Sequence, residues 1–284
     1  MSEEKIVINN IVFREDIRKN ECDCIPLYNN CSKFMLRFGN LTKRCESLGS
    51  FNLNPKMKDI KEDTLVVFDG GTRINVLSWI SKRYSQKRLI FYYWNPVALS
   101  INPRDVPEKF EKWSYSPSDC ERFGLRYNST FFFPEKVPVN NVSIERDVFF
   151  IGINKNRLEK IKHYESVFAS LGLKTEFLVV ENAKNRLKYT EVLEKDSHSR
   201  CILDYYGNPQ AGLSLRAMEA LFLEKKLITN NESIVNYDFY NSNNVFVLGK
   251  RNINDLKDFV YAPYLKISEE IKQKYSFKCW LKRF

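Results

Sequence analysis

The stretch Gln210–Glu219, QAGLSLRAME, brings four kinds of chemical group together in one short segment. Gly212 opens a helix, Ser214 adds a hydroxyl in its first turn, and Arg216 adds a guanidinium. Glu219 places a carboxylate among Ala217, Met218, Ala220 and Leu221. Backbone N–H groups at a helix start, backed by the helix dipole, hold phosphates. A guanidinium one turn further on can grip a diphosphate with two N–H groups. A carboxylate at the depth of Glu219 can accept both hydroxyls of a ribose. Caps, arginines and glutamates occur on every α/β protein, so an ordinary capped helix remains the competing reading.

A second set lies earlier. Asp69 ends the apolar run LVVF and is followed by Gly70-Gly71 and then Arg73. A carboxylate there stands at the carboxyl edge of a strand, where α/β sheets bind ligands, and could act as a general base. The alternative is a turn-capping aspartate beside glycines. Asp119, in Ser116-Pro117-Ser118-Asp119, is a rival base, although its pattern also suits a helix start. Arg73 follows the glycine turn and reads as a contact to an acceptor or to phosphate, with a surface arginine as the plain alternative, and Trp94 and Asn95, after the next strand, read as acceptor contacts. His163 and His198 are the only histidines, and both read as surface residues.

The elements that position these residues fall into two halves. Leu65–Asp69 and Arg88–Tyr93 read as buried strands, with Ile74–Tyr84 between them at helical spacing, a parallel βαβ unit. Lys112–Tyr115 reads as another strand, and Cys120–Gly124 as a short helix stopped by glycine. Pro134–Ser143 is the linker candidate. After it come strands at 147–151, 174–180, 201–204, 226–229 and 245–248, with helices at 156–171, 188–195 and 212–223. That alternation is the order of a doubly wound sheet. The expected architecture is α/β, with two Rossmann-like domains facing across a cleft. Residues 1–143 are expected to form the first domain, 144–262 the second, and 263–284 a helical tail packing back on the body.

Composition narrows the classes. Hydrophobic residues at 43% and charged residues at 28% support a packed core rather than disorder. No apolar run is long enough to span a membrane, and MSEEKIVINN lacks the layout of a secretory signal, so a cytoplasmic chain is expected. Seven cysteines, an odd number, fit reduced thiols, and the spacing of Cys22, Cys24, Cys31 and Cys45 matches no common zinc finger. No metal site is expected. The net charge of +10 attracts phosphates, but the basic residues are dispersed and no nucleic-acid motif accompanies them. A basic nucleic-acid-binding protein is therefore the runner-up class, and nucleic acid is not expected as a partner.

The run from strand through a Gly-opened helix to Glu219-Ala220-Leu221 and Lys225-Lys226-Leu227-Ile228-Thr229 resembles the C-terminal domain of GT-B glycosyltransferases. DVFFIGINKNR resembles the strand-Gly-basic loop that opens those domains. KWSYSPSDCERFGLRYN is similar to a segment of small bacterial polysaccharide and lipopolysaccharide glycosyltransferases. The resemblance covers about residues 65–260 and implies transfer of a sugar from a nucleotide-sugar donor to a glycan or lipid-linked acceptor. It implies that Glu219 binds the donor ribose and that Gly152, Lys155 and Arg157 face the phosphates. Gln210, Gly212, Leu213, Ser214 and Arg216 complete the donor set. The retaining enzymes of this fold carry a second glutamate eight residues before the ribose one, and that position is Ala211 here. This favours inversion. The sequence contains no Asp-x-Asp, the motif that holds metal in the single-domain glycosyltransferase fold, which agrees with a metal-independent enzyme needing no cofactor. A nucleotide-sugar epimerase or hydrolase of similar architecture is the other alternative. The basic, aromatic tail adds an anionic membrane surface, on the inner face, as an expected partner, with docking on the body as the alternative.

Overall fold

A computed structural model describes residues 4–10, 12–28, 52–138, 143–154, 157–181, 187–206 and 212–284. The chain divides into two compact units, Met1–Asn128 and Ser129–Phe284. The division falls ahead of the Pro134–Ser143 stretch, of which residues 139–142 lie outside the described residues.

In the first unit, β1 (Lys5–Ile8), β2 (Asp23–Ile25), β3 (Thr64–Phe68), β4 (Arg88–Tyr93), β5 (Phe110–Ser114) and β6 (Arg126–Tyr127) form one sheet in the order β2-β1-β3-β4-β5-β6. Every pairing is parallel. The central strands are buried on both faces, which is why TLVVF and RLIFYY are unbroken apolar runs rather than alternating ones. Helix α1 (Arg14–Lys19) joins β1 to β2, and α2 (Ile74–Arg83) joins β3 to β4. Helix α2 buries Val76, Leu77 and Ile80 in the core. Helix α3 (Pro117–Phe123) starts on Ser116, whose hydroxyl accepts from Asp119 N–H, and stops at Gly124 with φ of 65°.

The second unit repeats the plan. Strands β7 (Arg146–Ile153), β8 (Thr175–Val180), β9 (Ser199–Asp204), β10 (Lys226–Thr229) and β11 (Val245–Val247) form a parallel sheet in the order β11-β10-β9-β7-β8. Helices α4 (Leu158–Ser170), α5 (Tyr189–Ser197) and α6 (Leu215–Phe222) follow β7, β8 and β9 in turn, and α7 (Leu256–Tyr261) comes after β11. In each sheet the first strand lies between the second and the third. The direction in which successive strands are added across the sheet therefore reverses between β1 and β3, and again between β7 and β9. Those two switch points, at the carboxyl ends of the strands, are where open α/β sheets leave a crevice for ligand.

The tail forms α8 (Glu269–Lys274) and α9 (Phe277–Lys282), both part of the second unit. Phe132 N–H donates to Tyr275 O and Phe277 N–H to Phe132 O, each at 2.8 Å, which fixes the tail to the TFFF segment. Phe131 packs on Trp280 with ring centroids 4.6 Å apart, and Phe133 stacks on Phe277 at 5.0 Å. Phe277, Trp280 and Phe284 are buried, so the aromatic residues face the unit's interior while Lys274, Lys278, Lys282 and Arg283 are exposed. No helix among the described residues is long and apolar enough to cross a membrane.

Candidate functional site

Strand β7 leaves the second sheet through Ile151, Gly152 and Ile153, next to the end of β9 at Asp204. Two arginines converge there. Arg157, just ahead of α4, donates Nε to Ile153 O at 3.1 Å and Nη1 to Tyr205 O. Arg216, in the first turn of α6, donates Nη2 to Ile151 O. Both guanidiniums lie over the Phe150 ring, at 5.3 and 5.4 Å from its centroid. Gly152 is what lets them meet. A Cβ at that position would collide with Arg157 Nη2 and lie 3.0 Å from Arg216 Nη2.

Arg216 interacts here with three buried carboxyls, Asp204, Glu219 and Asp196. Asp204 is the nearby counter-ion, 3.7 Å from Arg216 Nη1, and it is buried. Burial pushes its carboxyl above the usual range, while Arg216 and the Ser214 hydroxyl pull the other way. Burial, and next the neighbouring Arg216, lower the Arg157 guanidinium to about 10. Arg216 Nε is buried with no hydrogen-bond partner among the described residues. Two guanidiniums at one strand end, with a donor left over, offer an anion both charge and hydrogen bonds.

Helix α6 aims its start at the same sheet edge. Ser214 caps it, accepting from Ala217 N–H at 3.2 Å and donating its own proton to Asp204 Oδ2 at 2.7 Å. Its hydroxyl thus holds the helix start and Asp204 together. The N–H groups of Leu213, Ser214, Leu215 and Arg216 have no hydrogen-bond partner among the described residues. They are the orphan donors of a helix start.

Glu219 sits deeper than expected for a group facing solvent. It is 3% exposed and lies inside the second unit. Burial raises its carboxyl to about 7, against the pull of Arg216 and Tyr189. Asp196 of α5, 1% exposed, is pushed well above the carboxylate range by burial and then by Glu219. The two form a buried acid pair that sequence reasoning did not find. Asp204 was also missed as a site residue. Lys155, Gln210 and Ala211 lie outside the described residues.

In the first unit the β3–β4 register brings Asp69, Trp94 and Asn95 together. Asp69 is buried and accepts from Trp94 N–H at 3.1 Å and from Asn95 Nδ2 at 3.2 Å on each oxygen. Burial raises its carboxyl, with these bonds and Ser100 opposing. Trp94 packs on Phe13 and Phe68. Arg73 places its guanidinium over the Tyr28 ring, 4.8 Å from the centroid. Asp119 accepts from Val97 N–H at 3.0 Å and so ties α3 to the loop after β4. At the switch point between β1 and β3, Asn9, with φ of 72°, donates to Gly70 O and Thr72 Oγ1. Nothing local in VINNIVF marks it for that bridging position.

No protein-family model matches the sequence, and no curated protein does. Solved structures do match. The apo lipopolysaccharide outer core galactosyltransferase WaaB is similar over 99% of this chain and 98% of its own, at 12% identity and a TM-score of 0.52. The spinosyn forosaminyltransferase SpnP matches over 100% and 98%, at 11% identity and 0.51. HepE of Anabaena, solved with UDP and glucose, matches over 99% and 98%, at 9% identity and 0.52. In fold, this chain is a two-domain α/β protein of the GT-B glycosyltransferase type, as its sequence resemblance implied.

Proposed function

We propose that the protein is a metal-independent glycosyltransferase that takes its sugar from a nucleotide-sugar donor. The observation that carries this reading is the convergence of Arg157 and Arg216 on Gly152 at the β7–β9 switch point. A departing nucleoside diphosphate carries negative charge that develops as the sugar bond breaks. Guanidiniums and helix-start amides already in place stabilise that charge without rearrangement. The solved HepE, which has this fold, was crystallised with UDP and glucose, which supports the same donor class here. Glu219 is assigned to the ribose and Lys155 and Gln210 to the donor loop, on the resemblance alone.

In the reaction, an acceptor hydroxyl oxygen attacks the anomeric carbon and the bond from that carbon to the phosphate oxygen breaks. The nucleoside diphosphate leaves and the hydroxyl proton passes to a carboxylate. Asp69 is the base in this reading, with Asp119 as the rival, because burial raises its proton affinity and it stands at a sheet edge. Arg73, Trp94 and Asn95 flank the acceptor. The acceptor is a glycan or lipid-linked glycan of the bacterial surface, the class that the WaaB likeness favours. A cytoplasmic protein held at the inner membrane face by the exposed basic residues of the tail fits that acceptor.

Release of nucleotide from a panel of sugar donors, a diphosphate from UDP-, GDP- and dTDP-sugars and CMP from CMP-sugars, with and without oligosaccharide acceptors, tests the proposal. Asp69→Asn is expected to lower kcat by about 10²–10⁴-fold with donor affinity unchanged. A variant that keeps the full rate removes Asp69 from the role. No turnover with any donor removes the function.

A further inference from the structure

Asn230 and Asn231, directly after β10, take no part in the reading above, yet both reach the turn ahead of α6. Asn230 grips Tyr206 twice: its Oδ1 accepts from Tyr206 N–H at 2.8 Å, and its Nδ2 donates to Tyr206 O at 2.9 Å. Asn231, 5% exposed, donates Nδ2 to Gly212 O at 3.1 Å. Its Oδ1 accepts from Ser233 N–H at 3.1 Å and from the Ser233 hydroxyl at 2.7 Å, which fixes which way the amide faces. The buried Thr130 hydroxyl donates to Leu213 O at 2.6 Å.

The planar trans peptide turns these bonds into a statement about amides. Within one peptide unit the C=O and the following N–H point opposite ways. With Gly212 O held by Asn231, Leu213 N–H faces away from Asn231. With Leu213 O held by Thr130, Ser214 N–H faces away from Thr130. Neither amide has a hydrogen-bond partner among the described residues. Asn231 and the Tyr206 hydroxyl, at 3.4 Å, therefore hold Gly212 O, Thr130 holds Leu213 O, and Asn230 fixes the backbone of Tyr206, while the Leu213 and Ser214 amides have no partner among the described residues.

We infer that Asn230, Asn231 and Thr130 are positioning residues that present the Leu213 and Ser214 amides to the phosphates of the donor. The inference rests on the donor reading proposed above. It predicts a phosphate-specific effect, because a nucleoside or its sugar part would not sense these amides.

The test compares UDP and GDP with UMP and GMP by calorimetry, on the full chain and on Asn231→Asp, Asn230→Ala, Thr130→Val and Thr130→Ser. Asn231→Asp keeps the acceptor for Ser233 and loses the donor to Gly212. Diphosphate affinity is expected to fall about tenfold in Asn231→Asp and Thr130→Val, with monophosphate affinity within about twofold and Thr130→Ser restored. Amide exchange at Tyr206 is expected to speed up in Asn230→Ala. Equal losses for mono- and diphosphates, or no loss in a folded variant, overturn the positioning role. If Asn231→Asp does not fold, the Thr130→Val and Thr130→Ser pair decides on the same criterion. If the unaltered chain binds no nucleoside diphosphate, the donor reading falls and the positioning role with it. That outcome is distinct from a loss confined to the variants.

Discussion

Gly152 is a single hydrogen in place of a side chain, and that hydrogen is what allows two guanidiniums to share the end of β7. Gly152→Ala is therefore expected to separate Arg157 from Arg216 and weaken nucleoside-diphosphate binding about tenfold, read by calorimetry. The fold should survive, because the colliding atoms are the ends of flexible side chains. Behind Arg216 lies Glu219, whose carboxyl is raised to about 7 from an ordinary 4.5, chiefly by burial. For an acid with a raised folded pKa, the native state binds more protons than the unfolded chain between the two values. Stability is then full below the unfolded pKa and falls as pH rises through the folded one. We expect the melting temperature to drop as pH rises between about 4.5 and 7. Glu219→Gln should flatten that slope. A slope unchanged in the variant would place the titration elsewhere, with Asp196 the first group to examine.

Among the elements, the tail makes the sharpest stability prediction. Trp280 is fully buried against Phe131, Phe277 and Phe284, so Trp280→Ala should destabilise the second unit by about 3–5 kcal/mol in denaturant unfolding. A loss below about 1 kcal/mol would mean that the tail is not docked in solution. Much of the element order could be read from the sequence. Strands such as Arg88–Tyr93 and Lys226–Thr229 are apolar runs between polar breaks, and α4 ends at Gly172 with φ of 76°. The first sixty residues resisted. Helix α1, REDIRK, buries one residue, Ile17, and carries no amphipathic stripe. Strand β2 is three residues long and relies on β1 for its pairing. The site divides the same way. Gly212, Ser214, Arg216 and Arg157 stand in local patterns with a known use. Asp204, Asp196 and Asn9 acquire meaning only through partners distant in sequence, and no spacing announces such contacts.

At the scale of the whole molecule, the same strand order occurs in both units, so each has one switch point at the carboxyl ends of its strands. The two are built differently. The β7–β9 end in the second unit carries two arginines, with Asp204 within 3.7 Å of Arg216. The β1–β3 end in the first unit is lined by Asn9, Gly70 and Thr72, with Asp69 locked onto Trp94 and Asn95 beside it. Under the proposed function, the second unit would take the diphosphate and the first the hydroxyl-bearing acceptor. The net charge of +10 is expected to speed donor capture and make it salt-dependent. The most direct test is calorimetric titration of UDP and GDP into the full chain and into Arg157→Ala and Arg216→Ala. The account predicts binding in about the micromolar-to-millimolar range for at least one of the two, weakened at least about tenfold by each substitution. Absence of binding to both, or affinity unchanged in both variants, would contradict it.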